Sequence, residues 1–279
     1  MAKVKQTANL PVAFDEELAK QAAAYRTAEA SSATGNFISI RGGVLQYKGA
    51  PIEGNKFSCV ILASVFENNY YKEAFDPDTP VPPSCYAFSA TQDGLAPHAE
   101  AEDKQGDANH LCAACWANGF GSGVDARGQP SRGKACHNRR RLAIIPVDKN
   151  FDADSVATAE IAYLRIPVMS CPGYSLHVTG IADAFNLPPY GVVTECSVVP
   201  DAKSTFRVVF KVLHKAERTT LAALFSRAAE AAKSIAFPYP KASTIERQPA
   251  TRRPVRPAAA KKATAKRPQA APSAAPRKF

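Results

Sequence analysis

Cys112-Ala113-Ala114-Cys115 sets two sulfurs two residues apart. It lies in residues 105–122, a stretch rich in Gly, Asp and Asn with no strand or helix period of its own. Two thiolates at that spacing share one metal ion, and a loop-borne pair is completed by ligands from elsewhere in the chain. Cys136 is the third candidate. Cys85 is the fourth, because Pro82-Pro83-Ser84-Cys85 puts it at the edge of the same excursion; His98, His110 and His137 are its rivals. The set spells C-x26-C-x2-C-x20-C, an all-cysteine tetrahedral pattern for one structural Zn²⁺. Residues 76–141 hold few core residues, so bound metal would supply their folding energy directly. A redox reading of the CxxC expects a helix N-terminus after a βα unit, and Asn118-Gly119-Phe120-Gly121-Ser122-Gly123 does not supply one. Cys59 and Cys196 fall inside apolar strand patterns and read as small core residues; Cys171 opens a turn and is assigned no role.

Charge segregates around this site. Residues 93–107 carry five acids (Asp93, Glu100, Glu102, Asp103, Asp107) against Lys104, whereas residues 127–141 carry six bases and no acid. The basic run brackets Cys136, so ligation there would fix its position. Arg132, Lys134, Arg139, Arg140 and Arg141 are the candidate phosphate contacts. The bland alternative is a solvated loop whose bases pair weakly with the acidic segment. Single-strand recognition also needs exposed rings on which bases stack. Phe66, Tyr70, Tyr71 and Phe75 cluster with Asn68, Asn69 and Lys72, and Trp116 directly follows the CxxC. Most rings must serve the core; Tyr70, Tyr71 and Trp116 are the candidate stacking residues.

An enzymatic reading competes for the same residues. His98-Ala99-Glu100 followed by Cys112-x-x-Cys115 shares residue types with the zinc nucleobase deaminase signature, in which a histidine and two thiolates hold zinc and a glutamate moves protons. Eleven residues separate Glu100 from Cys112, too few for the strand and loop expected there, and Leu111 replaces the usual proline. That reading also leaves Cys136 without a purpose. The chain shows no phosphate-binding P-loop, GxSxG elbow or HExxH helix.

The elements that must position these residues are mostly strands. Residues 36–41 and 44–48 flank Gly42-Gly43, a hairpin signal. A long strand is expected over 57–71, then strands over 85–89, 140–146, 160–168, 192–199 and 205–213, the last two joined by Pro200-Asp201-Ala202-Lys203. Helices are expected over 15–31, over 174–185 and, most clearly, over 216–237, where Leu221, Leu224, Phe225, Ala228, Ala232 and Ile235 recur at helical spacing before Pro238. Short strands with long insertions predict a mainly β, α+β chain: an OB-type β-barrel over 36–240, with a helical segment over 1–35 and the zinc loop inserted at 76–141.

The 279 residues carry a formal charge of +10, and from Lys241 onward there are eleven basic residues and one acid, so the excess belongs to the tail. Residues 241–279 are Ala, Pro, Lys and Arg with almost no apolar bulk, and read as a disordered basic arm suited to phosphate backbones. No run approaches the ~20 apolar residues of a membrane span. No apolar segment follows Met1-Ala2-Lys3-Val4-Lys5-Gln6, so no secretory leader is expected and a cytoplasmic location follows.

The order of features resembles tailed-phage single-stranded DNA-binding proteins of the zinc-containing OB type. The resemblance covers about residues 36–236 and rests on Asn36-Phe37-Ile38-Ser39, Tyr70-Tyr71, Phe75-Asp76-Pro77-Asp78, Pro82-Pro83-Ser84-Cys85-Tyr86-Ala87, Ala96-Pro97-His98, the CxxC, Gly133-Lys134-Ala135-Cys136 with Arg139-Arg140-Arg141-Leu142, and Pro189-Tyr190-Gly191-Val192-Val193-Thr194-Glu195. It implies Cys85, Cys112, Cys115 and Cys136 as zinc ligands. It also implies coating of single-stranded DNA in phage replication, recombination and repair in the host cytoplasm, without catalysis and alongside replication or recombination proteins. Such proteins commonly end in an acidic tail, whereas this chain ends Pro276-Arg277-Lys278-Phe279, which suits RNA or duplex DNA instead. The alternative function is a non-catalytic, zinc-stabilised interaction protein that binds nucleic acid or an acidic partner through its tail; a zinc deaminase is the lesser alternative.

Overall fold

One long strand is the spine of the molecule. The computed structural model describes residues 20–21, 36–73, 81–105, 111–125, 128–148 and 151–239. The chain divides into two units, 1–246 and 247–279, the second of which lies wholly outside the described residues. So does the expected helix over 15–31, apart from Lys20 and Gln21, which are helical and exposed.

Among the described residues nine strands make one sheet: β1 (Phe37–Arg41), β2 (Val44–Tyr47), β3 (Ala50–Pro51), β4 (Lys56–Tyr70), β5 (Cys85–Ser89), β6 (Cys136–Pro146), β7 (Ala162–Pro167), β8 (Val192–Asp201) and β9 (Thr205–Lys215). Their order is β3-β2-β1-β7-β6-β4-β8-β9, with β5 also paired to β4. All pairings are antiparallel except β1 with β7. The described helices are α1 (Ala153–Thr158), α2 (Cys171–Phe185) and α3 (Arg218–Ser234), together with short 3-10 turns. Among the described residues no helix is long and apolar enough to cross a membrane.

The sheet curls into a half-barrel, mainly β with few helices. Its two ends meet: Asn55 Nδ2 donates to the Gly43 carbonyl at 2.8 Å and to the Val198 carbonyl at 3.2 Å, tying the β1–β2 turn to β8. Gly42 and Gly43 make that turn at φ 58° and 79°, a conformation that costs other residues a Cβ clash. Inside the curl, Ile38, Leu45, Cys59, Ile61, Leu142, Ile144, Leu164, Ile166, Cys196 and Val208 pack with Tyr174 of α2. Outside it, Val60, Leu62, Ala143, Ile145 and Val193 pack against Leu224, Ala228 and Ala231 of α3. Covering on both faces explains the unbroken apolar run Cys59-Val60-Ile61-Leu62 in β4.

The pairing of β4 with β6 slips between Ile61 and Ala63. Such a bulge reverses which side chains face inward beyond it. After it, Phe66, Asn68 and Tyr70 share the inner side with Arg140, Asn138 and Cys136, their register partners, and Glu67 and Asn69 turn outward.

Most expected elements are present. β6 starts four residues before the expected strand, because polar Cys136–Arg139 pairs with the Tyr70–Glu67 end of β4, a partner-driven extension without an apolar pattern. The short α1 escaped notice; Asp152 and Ser155 form its capping box.

Candidate metal centre

Cys85 and Cys136 stand on either side of Tyr70, one on β5 and one on β6, at the same register level. Directly opposed residues in a ladder point the same way, so both sulfurs lie on the inner side with the Tyr70 ring. The loop from 111 to 125 folds over them. Cys112 N donates to the Leu95 carbonyl at 2.9 Å, and Cys115 N to the Cys112 carbonyl at 3.3 Å, which seats the CxxC. A 3-10 turn at Trp116–Asn118 follows, and Asn118 Nδ2 donates to the Cys112 carbonyl at 2.9 Å.

All four cysteines line one cavity with Asn68, Tyr70, Tyr86, Gln105, Ala117 and Asn118. Its volume is ≈ 10 Å³, room for about one water-sized sphere. Cys85 Sγ accepts from Gln105 N at 3.3 Å, and Cys115 Sγ lies 3.1 Å from the Gln105 carbonyl. Burial, then the charges of Cys112, Cys85 and Cys115, push the Cys136 thiol up to about 12. Burial likewise raises Cys85. Four sulfurs this close resist ionising together unless a cation compensates them. Among the described residues no three His, Cys, Asp or Glu side chains are closed to metal-holding geometry, so these sulfurs share a cavity rather than a common point at bonding distance.

The residues fit a soft, tetrahedral cation on two grounds. The donor set is all sulfur. Asn68 lines the same cavity, and its buried amide nitrogen has no hydrogen-bond partner. The described rival ligands lie elsewhere. The His98 ring stacks on Tyr86 at 5.1 Å and does not line the cavity. His137 follows Cys136 along β6, faces the other way and approaches Tyr71 at 6.2 Å between ring centroids. His110 lies outside the described residues. Of the H-x-E…C-x-x-C set, only the two thiols line this cavity.

The candidate nucleic-acid residues divide into three environments. Trp116 is 54% exposed; it packs edge-on against half-buried Tyr70 at 5.5 Å and donates from Nε1 to Gln105 Oε1 at 2.8 Å. Lys134, half-buried, donates to Asn118 Oδ1 at 3.1 Å, and its Nζ lies 4.8 Å from the Phe120 ring centre. Arg132 is exposed, and Arg139 and Tyr71 are half-buried. Arg140 is half-buried, with its guanidinium 3.8 Å from the Phe66 ring centre and 5.4 Å from that of Tyr174.

Arg141 corrects the expectation. It is fully buried, not a surface cation. Nε and Nη2 donate to the two Glu67 carboxylate oxygens at 2.9 and 3.2 Å, and Nη1 to the carbonyls of Ile235 and Phe237 at 3.1 and 3.2 Å. Arg165 Nε lies 3.3 Å from the same carboxylate, and the Tyr239 hydroxyl donates to it. Rings of Phe37, Phe88, Phe237 and Tyr239 surround the two guanidiniums. Burial alone would raise the Glu67 carboxyl, but Arg141 and Arg165 hold it below the ordinary carboxylate range. A run of three arginines does not reveal from spacing which one turns inward.

Phe120 is the residue the sequence reading missed. It is 84% exposed, between Gly119 and Gly121. A bulky ring flanked by glycines in a loop without apolar periodicity was the available signal. The comparisons add no relative: no family model, no curated protein and no solved structure matches the chain.

Proposed function

We propose that the chain is a sequence-tolerant single-stranded DNA-binding protein, an OB-type barrel with one structural Zn²⁺ on Cys85, Cys112, Cys115 and Cys136 and a basic C-terminal arm. One observation carries the reading: the loop seated on the four cysteines presents Trp116 and Phe120 to solvent, with Lys134 beside Phe120. Exposed rings interleaved with cations are the means by which proteins hold unpaired bases without regard to sequence. Trp116 and Phe120 stack bases, and Tyr70 braces Trp116 from below. Lys134, Arg132 and Arg139 follow the phosphates; Arg141 is excluded by its burial. Bound Zn²⁺ would supply folding energy to the loop and so hold both rings in place. The curled sheet with its ends tied together is compatible with the OB architecture. The reading implies coating of strands during phage-type replication, recombination and repair in a host cytoplasm, without catalysis.

The test is a titration of the purified chain with fluorescent single-stranded and duplex oligonucleotides at two salt concentrations, with zinc quantified in the same sample. A chain truncated after Glu246, the end of the first unit, is measured alongside. The expected result is one zinc per chain, a single-strand preference that survives truncation, and affinity falling steeply with salt. Binding that disappears with the tail would overturn the reading in favour of a tail-borne interaction protein, and salt-insensitive binding would overturn both.

A further inference from the structure

We infer that the Asn68 side-chain amide donates a hydrogen bond to a metal-bound cysteine sulfur, held in that role by a relay of amides ending at Lys134. The inference rests on the metal reading above and assigns the cavity a positioning residue outside its ligands.

The relay fixes which way each amide points. A lysine ammonium only donates, and a backbone carbonyl only accepts. Lys134 Nζ is 3.1 Å from Asn118 Oδ1, and Asn118 Nδ2 is 2.9 Å from the Cys112 carbonyl, so both ends of the Asn118 amide are determined. Asn138 then presents its nitrogen to two oxygens, Asn118 Oδ1 at 3.1 Å and Asn68 Oδ1 at 2.7 Å. Asn68, having shown its oxygen to Asn138, has its NH₂ left over. That nitrogen is buried without a partner, in a residue only 3% exposed that lines the four-cysteine cavity.

A buried amide donor is costly to leave unsatisfied, so what it faces is informative. The side-chain oxygen of Gln105, a residue of the cavity wall, already accepts from Trp116. Apart from the tyrosine hydroxyls and the Asn118 oxygen, which already accepts from Lys134 and Asn138, the remaining side-chain acceptors on the cavity wall are the four sulfurs, which a bound cation would draw together. A neutral thiol is a weak acceptor, whereas a thiolate is a strong one. Four thiolates on a divalent cation leave two negative charges in excess, and N–H donors to sulfur stabilise that excess. Gln105 N already donates to Cys85 Sγ at 3.3 Å. Asn68 supplies a second such donor. Through Asn138 and Asn118 it also links the metal to Lys134, the cation beside exposed Phe120.

The experiment uses the full chain with Co²⁺ as the probe. Its sulfur-to-cobalt charge-transfer and d–d absorption report a tetrahedral thiolate site, and Zn²⁺ competition gives relative affinity. Asn68→Asp keeps the shape and an oxygen for Asn138 while replacing the donor by a carboxylate. It is expected to weaken Co²⁺ binding roughly 10- to 100-fold and to shift the charge-transfer band. Asn68→Ala is expected to act in the same direction, and Asn118→Ala, which cuts the relay behind Asn68, more weakly. In the unmutated chain loaded with ¹¹³Cd, a scalar coupling between cadmium and the Asn68 side-chain amide proton is expected. If both Asn68 variants bind within about twofold of the parent with the same spectrum, or if the coupling is absent in the unmutated chain, the inference is overturned and the metal reading stands. If the unmutated chain takes up no Co²⁺ with thiolate absorption, the metal reading itself falls.

Discussion

Two polar clusters share the last residues of β4 and face opposite sides of the sheet. On the outer side, Glu67 meets Arg141, Arg165 and Tyr239, with Asn69 Nδ2 3.2 Å away, under a roof of aromatic rings. On the inner side, Asn68 and Tyr70 frame four sulfurs, and the Asn68 amide nitrogen has no partner. The outer cluster sets its one carboxylate against two guanidiniums, although Asn69 Oδ1 and Arg165 Nε there lack hydrogen-bond partners. The inner one gathers sulfurs instead of a charge pair, the donor set proposed above to hold a soft cation. A buried carboxylate set against guanidiniums is architecture; a buried amide donor without a partner beside four sulfurs is what the proposed metal would satisfy.

This contrast can be broken most forcefully at the cysteines. Cys115→Ser is expected to abolish metal content and to make residues 111–135 cleavable in limited proteolysis, because that loop has little core of its own. A metal-free loop that resists protease would erase the distinction between the clusters. Glu67→Ala is expected to cost about 3–5 kcal/mol in denaturant unfolding, since it strands the buried Arg141 charge, while metal content stays at the parental level. Loss of metal in that variant would show that the two faces are not independent. Trp116→Ala and Phe120→Ala should each weaken single-strand affinity by about 1–3 kcal/mol and change folding stability by less than about 0.5 kcal/mol.

A pH series sharpens the outer cluster alone. Glu67 titrates below its ordinary value of 4.5 in the folded chain, so its stabilising contribution is full above about that pH. It is lost as the pH falls through the lowered folded value. Glu67→Gln should therefore flatten the acid limb of the stability curve, read as denaturant midpoints; an unchanged limb would place the responsible carboxylates elsewhere. The smallest expected effect is that of Arg132→Ala. A single exposed phosphate contact should lower the slope of log affinity against log salt by about 0.7 and leave metal content and stability unchanged.

The cysteine set was legible because cysteine has little reason to sit in a Gly-rich loop other than the ligation proposed above. The sequence favoured Cys85 as the fourth ligand, with three histidines as rivals. In the structure, alternation along β6 sends Cys136 and His137 to opposite faces, and His98, in the segment after β5, stacks on Tyr86 and does not line the cavity that Cys85 lines. The hairpin at Gly42-Gly43, β4 and α3 were legible for the same kind of reason: turn chemistry and apolar period are local. The two-residue β3, the polar start of β6 and the short α1 were not, since a partner strand or a cap makes them and no apolar period marks them.

Sequence by itself determined the β-rich class, the four sulfurs, the aromatic residues available near them and the basic excess carried beyond Lys241. Tertiary structure decided which face each residue serves. A single slip in register between Ile61 and Ala63 turns Asn68 toward the sulfurs and Glu67 toward Arg141, and so converts one arginine of an apparent phosphate-binding triplet into a buried ion pair. The reason is the two-residue period of a strand: one extra residue reverses every side chain beyond it, and nothing local in the sequence marks where a bulge falls.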